Sequence, residues 1–114
     1  MNLENKYSTT VKSYVPLTED EKDYTSQLSE SGIPAYKIAE ILGKDKRLFL
    51  LDYKREGTDV FNAYYKGILL AKSTTNAVIL EAAKKGNITA KQQMEKIWNQ
   101  QETEDMIQEI FNTE

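Results

Sequence analysis

Apolar residues recur at three- and four-residue steps along most of this chain, and glycines break the pattern into segments. Met1 to Pro16 has no such period. Tyr7, Val11, Tyr14 and Val15 lie scattered among Ser, Thr and Lys, so residues 1–17 read as a flexible arm, free to order on contact. Thr18 opens the first helix, with Glu21 three residues on to complete a capping box and Glu19, Asp20 and Glu21 suited to the positive end of the helix dipole. Tyr24 and Leu28 share a face, and Gly32 ends the helix. Pro34 starts a second helix whose buried stripe is Ile38, Ile41 and Leu42, with the small Ala39 beside it; Gly43 ends it. Asp45 caps a third helix running to about Lys54, with Phe49 and Leu50 or Leu51 as its apolar side, closed by Gly57.

Thr58 and Asp59 begin a long fourth helix, to about Lys85. Phe61, Tyr64 with Tyr65, Ile68, Ala71, Thr75, Val78 with Ile79, and Ala82 form one stripe along it. A second stripe of smaller residues runs beside the first: Ala63, Gly67, Leu70, Thr74 and Ala77. Gly86 and Asn87 make a turn. Thr89 and Gln92 then form a capping box for a fifth helix with Met94, Ile97 and Trp98 on one face. Asn99 to Asp105 carries no apolar residue, so residues 103–112 read as a separate short amphipathic helix, or one induced by a partner. No strand pattern stands out. The predicted fold is all-α: an arm (1–17), a helix-turn-helix-like three-helix unit (18–57), a long antiparallel helical hairpin (58–98) and an acidic amphipathic tail (99–114).

Charge adds a direction to this pattern. The net formal charge is −3, yet it falls in blocks: −3 over residues 1–33, +5 over 34–94 and −5 over 95–114. A basic middle suits phosphate, and an acidic tail suits a protein partner; uneven but ordinary surface charge is the plainer alternative. The chain has no cysteine and no histidine, which removes disulfides, Cys-based zinc sites and imidazole acid–base chemistry. Glu19/Glu21 and Glu104/Asp105 pair carboxylates only in helix first turns, where capping explains them, so no catalytic residue, metal or cofactor is expected. No apolar run reaches the roughly 20 residues of a membrane span, and Met1 to Thr10 lacks a hydrophobic signal core, so a cytoplasmic location is expected.

The strongest local signal is Ile33 to Arg55. A DNA-reading helix-turn-helix needs a small residue where its helices cross, a turn residue tolerant of left-handed geometry, and an apolar side chain sent back between the helices. Ala39, Gly43 and Phe49 fill those roles at the right spacing. Asp52 falls where such units place a second buried apolar residue, with Leu51 or Tyr53 able to substitute on a rotated helix. Lys44, Lys46, Arg47, Lys54 and Arg55 surround the third helix and are the candidate DNA contacts. Arg47 is best placed to fork onto a guanine edge. A plain three-helix bundle with solvated lysines is the competing reading.

Ile38–Ala39, Leu42–Gly43, Phe49, Phe61, Ala63–Tyr64, Gly67, Ala82–Ala83 and Lys85–Gly86–Asn87 together resemble the small terminase subunits of tailed bacteriophages and related phage helix-turn-helix proteins. The resemblance covers about residues 30–98. It implies a non-catalytic subunit that binds double-stranded DNA at a packaging site, assembles into a ring and delivers DNA to a large, ATP-hydrolysing subunit, in the host cytoplasm. Residue by residue, Ala63, Gly67, Leu70, Thr74 and Ala77 then become the expected homo-oligomer contact, unless the first three helices cover that stripe. Met106, Ile107, Ile110 and Phe111, spaced as one helical face, become the expected docking element for the large subunit or another protein. Two alternatives stay open: a phage or mobile-element transcriptional regulator, and a small acidic adaptor or inhibitor that binds protein and not DNA.

Overall fold

The structure is a computed structural model that describes residues 11–112. Among these residues it is all helical, with α1 Glu19–Glu30, α2 Ala35–Leu42, α3 Lys46–Tyr53, α4 Asp59–Lys84 and α5 Ile88–Asn112. The chain divides into two compact units, the first ending at Ala71 and the second starting at Lys72. The division falls inside α4. No helix among the described residues is long and apolar enough to cross a membrane.

Local sequence signals set the helix ends of the first unit. The Thr18–Glu21 capping box forms in both directions, the Thr18 hydroxyl accepting from the Glu21 amide and the Glu21 carboxylate from the Thr18 amide. Gly43 turns left-handed at φ 69°, and the Asp45 carboxylate accepts from the Leu48 amide to start α3. These caps bring α2 and α3 together as a helix-turn-helix-like pair.

Phe49, Ile38, Ala39 and Val60 are fully buried at the centre of the first unit, with Ala35, Val15 and Leu17 around them. Burying side chains such as Phe49 and Ile38 contributes about 1.5–3 kcal/mol each. Two expected positions, Ile41 and Tyr24, differ. Ile41 is half exposed, because one turn from Ile38 it faces outward past the α3 contact, and Ala35 takes the buried place. Of the expected Leu50 or Leu51, it is Leu50 that packs on the core, with Leu48 and Tyr53, while Leu51 is half exposed. On α1 the packed face is Thr25, Ser26 and Ser29, and Tyr24 points to solvent.

The expected flexible arm needs correction over residues 11–17; residues 1–10 lie outside the described part. Val15 and Leu17 are buried in the core, and a buried carboxylate anchors the segment. Asp52 accepts from the Tyr14 amide at 3.1 Å and the Val15 amide at 2.8 Å. Asp59 accepts from the Leu17 amide, and the Ser13 hydroxyl accepts from the Asp59 amide. An extended strap has no helical period to betray it, so its hydrogen-bond partners reside on α3 and α4.

The second unit has a small core of Ala83, Ala90 and Met94, flanked by Ile79, Leu80, Ala82 and Ile97. The Asn87 side chain caps α5 by accepting from the Ala90 amide, so Asn87 replaces Thr89 as the cap. The expected break before residue 103 is absent: α5 runs unbroken to Asn112. Gln and Glu hold a helix without apolar neighbours. Local bonds support it there, with Gln100 donating to Glu104 and the Thr103 hydroxyl donating to the Asn99 carbonyl. From Trp98 to Asn112 every residue is exposed.

Candidate nucleic-acid interface

The five candidate cations around α3 fall into two groups. Arg55 is built into the fold. Its guanidinium donates to Asp52 at 3.0 Å and to the Lys12 carbonyl at 3.1 Å, and lies 4.3 Å from the centre of the Tyr14 ring. Asp52, wholly buried, therefore answers three donors: two strap amides and one guanidinium. That is why a carboxylate stands where an apolar residue was expected. Lys44 is also engaged, 2.8 Å from Glu21, with both side chains partly shielded. The hydrogen bond from Lys44 is the main cause holding the Glu21 carboxyl below its ordinary pKa, with the Thr18 amide adding to it.

Lys46 pairs with Glu40 at 2.6 Å, but both side chains are about half open to water. Their mutual hydrogen bond raises the Lys46 pKa and lowers that of Glu40. Exposed pairs of this kind are screened by salt and exchange readily for another anion. Arg47 and Lys54 are exposed and form no ion pair among the described residues. Seven residues apart, they share one face of α3, with Leu50 and the half-exposed Leu51 between them.

Sequence reasoning missed part of this surface. Tyr36 on α2 is exposed, and the Lys37 and Lys46 ammonium groups lie 6.0 and 5.9 Å from its ring centre. Lys37 thereby joins the cationic surface. The signal was available, since Tyr36 and Lys37 fall off the Ile38–Ala39 stripe. The surface now runs Lys37, Lys46, Arg47, Lys54, with the carboxylates of Glu40 and of the helix cap Asp45 exposed beside it.

The expected oligomer stripe splits. Ala63 and Gly67 are buried by the chain's own α1. A methyl group on Gly67 would run into the Ser29 side chain and the Ser26 carbonyl. The Ser29 hydroxyl donates to the Tyr64 carbonyl across the same contact. Glycine is thus needed for close approach of two helices within one chain. Leu70, Thr74 and Ala77 remain exposed.

Beside α3 the other stripe of α4 is left partly open. Tyr53, Lys54, Phe61, Tyr64, Tyr65 and Ile68 line a groove of about 330 Å³. Tyr53 meets Tyr64 edge-on at 4.8 Å, and Phe61 stacks on Tyr65 at 5.7 Å. Burial raises the Tyr64 pKa, with Tyr53 adding to the effect, so its phenol stays protonated and able to donate. Met106, Ile107, Ile110 and Phe111 are all exposed on α5. Among the described residues no three metal-ligating side chains come together. No protein-family model matches this chain, and neither a curated protein nor a solved structure does.

Proposed function

We propose that this protein is a non-catalytic DNA-recognition and assembly subunit, serving to mark phage DNA for a packaging motor in the host cytoplasm. The observation that carries the DNA half is the outer face of α3, where Arg47 and Lys54 stand exposed without a carboxylate partner among the described residues, behind a glycine-turned helix pair. In such units the start of the second helix meets base edges in the major groove, and Arg47 is its second residue. Lys37 and Lys46 flank it as phosphate contacts. The packaging role rests on the sequence resemblance to small terminase subunits.

One observation favours a second reading, that of a protein-binding adaptor. Lys44, Lys46 and Arg55 are all met by carboxylates of the same chain, which leaves less free positive charge than the sequence offers. Binding to a labelled duplex across a salt series separates the two. The Arg47→Glu/Lys54→Glu variant should bind at least about tenfold more weakly while its helical content is unchanged. Equal binding by variant and wild type at low and moderate salt would leave only the adaptor.

A further inference from the structure

We infer that the apolar face at the end of α5 docks in the aromatic groove of a second copy, joining chains head to tail. This deepens the assembly half of the reading above and needs no DNA.

The end of α5 offers a surface that its own hairpin does not use. Helix geometry of about 100° per residue puts Met106 and Ile110 roughly half a turn around α5 from Ile97, with Ile107 about 80° from it and Phe111 about 40° from it, at the edge of the packed face. The packed face of α5 continues instead into Gln101, Glu104 and Gln108, which are polar. Hairpin packing therefore stops near Ile97, and the four apolar residues beyond it all stand exposed, Phe111 at 76 % and Met106 at 57 %. Such a cluster on the last two turns of a helix has the form of a groove-binding ligand.

The groove beside α3 is the matching receptor. It is concave, lined by four aromatic rings and Ile68, with Lys54 at its margin and Tyr65 half exposed. Charge decides the occupant. The tail face is flanked by Glu102, Glu104, Asp105 and Glu109, and residues 95–114 carry net −5. The charged residue of the groove lining is Lys54, which is exposed. Lys54 and the tyrosine hydroxyls supply donors that carboxylates accept, and aromatic walls take Ile and Phe side chains. Copies of one chain thus carry both halves of a complementary contact. Because the two surfaces differ, the contact is heterologous and generates a ring or an open chain rather than a symmetric dimer.

Solution mass without DNA tests this on the full chain. The wild type should form species larger than a dimer at high micromolar concentration, and raising the salt should dissociate them. Tyr65→Glu in the groove and Phe111→Glu in the tail, both at exposed positions, should each weaken association about tenfold or more. Lys54→Glu serves as a second groove variant should Tyr65→Glu misfold. The decisive arm mixes a groove variant with the tail variant. One intact tail and one intact groove remain, so a 1:1 dimer should form and stop there. A monomeric wild type would overturn the inference, as would a mixture that yields no 1:1 species. DNA binding that persists in a monomeric wild type would remove head-to-tail docking and leave DNA recognition standing.

Discussion

Asp52 shows how one residue links the strap, the helix pair and the candidate interface. Its carboxylate is wholly buried and holds two strap amides and Arg55. Asn has the same shape but one acceptor oxygen, and its amide nitrogen would confront an N–H donor. Asp52→Asn should therefore cost about 3 kcal/mol and lower Tm by about 10 °C or more; an unchanged urea midpoint would show that the strap is not held this way. Glu40 works in the opposite direction. It occupies Lys46 in an exposed pair that a phosphate would replace. Glu40→Gln should tighten duplex binding several-fold and steepen its salt dependence by about one unit, with little change in stability. Weaker binding by this variant would mean that Lys46 makes no phosphate contact. The sign of the pH effect follows from the same pair. Glu40 and Glu21 have lowered pKa values, so their contribution is present above the ordinary carboxylate pKa and is lost as pH falls through the lowered values.

At the scale of elements, helix ends were legible and faces were only partly so. Thr18, Gly43 and Asp45 cap or turn as their chemistry dictates, because capping depends on neighbours within four residues. The buried faces of α1 and α4 depend on a distant partner instead. Ser26, Ser29, Ala63 and Gly67 are small and weakly apolar, so periodicity ranks them below Tyr24 and Tyr65, yet they form the tight crossing. The strap of residues 11–17 stayed hidden for a related reason: its anchors Asp52 and Asp59 are far along the chain. Of the candidate interface, Arg47 and Lys54 were legible; the engagement of Lys44 and Arg55 was not, since Glu21 and the Lys12 carbonyl reach them only in the fold. Gly67→Ala tests the crossing. A methyl group would gain up to about 1 kcal/mol in helix propensity but collide with the α1 backbone, at a typical cost of about 1–3 kcal/mol or more. Net loss of stability in a thermal melt is expected. A stabilised variant would mean that α1 does not lie against Gly67.

At the scale of the whole molecule, charge and exposed apolar surface point the same way. The first unit carries exposed cations on α3, and the second carries exposed apolar side chains from Val78 to Phe111 that its small core does not cover. Exposed apolar side chains clustered at Met106, Ile107, Ile110 and Phe111 offer a surface for association. The proposed DNA recognition by the first unit and the proposed assembly through α5 are addressed separately by variants at Arg47 and at Phe111. A packaging subunit needs both.

The proposed contact of the α3 cations with DNA phosphates is read out by the salt dependence of duplex binding. Each phosphate contact releases counterions, with a slope of about −0.9 per contact on a double-logarithmic plot. With Lys37, Lys46, Arg47 and Lys54 as the available cations, the wild type should give a slope of about −2 to −4, reduced by about two units in Arg47→Glu/Lys54→Glu. A wild type with no measurable duplex binding at low salt, or with a slope near zero, would contradict the account.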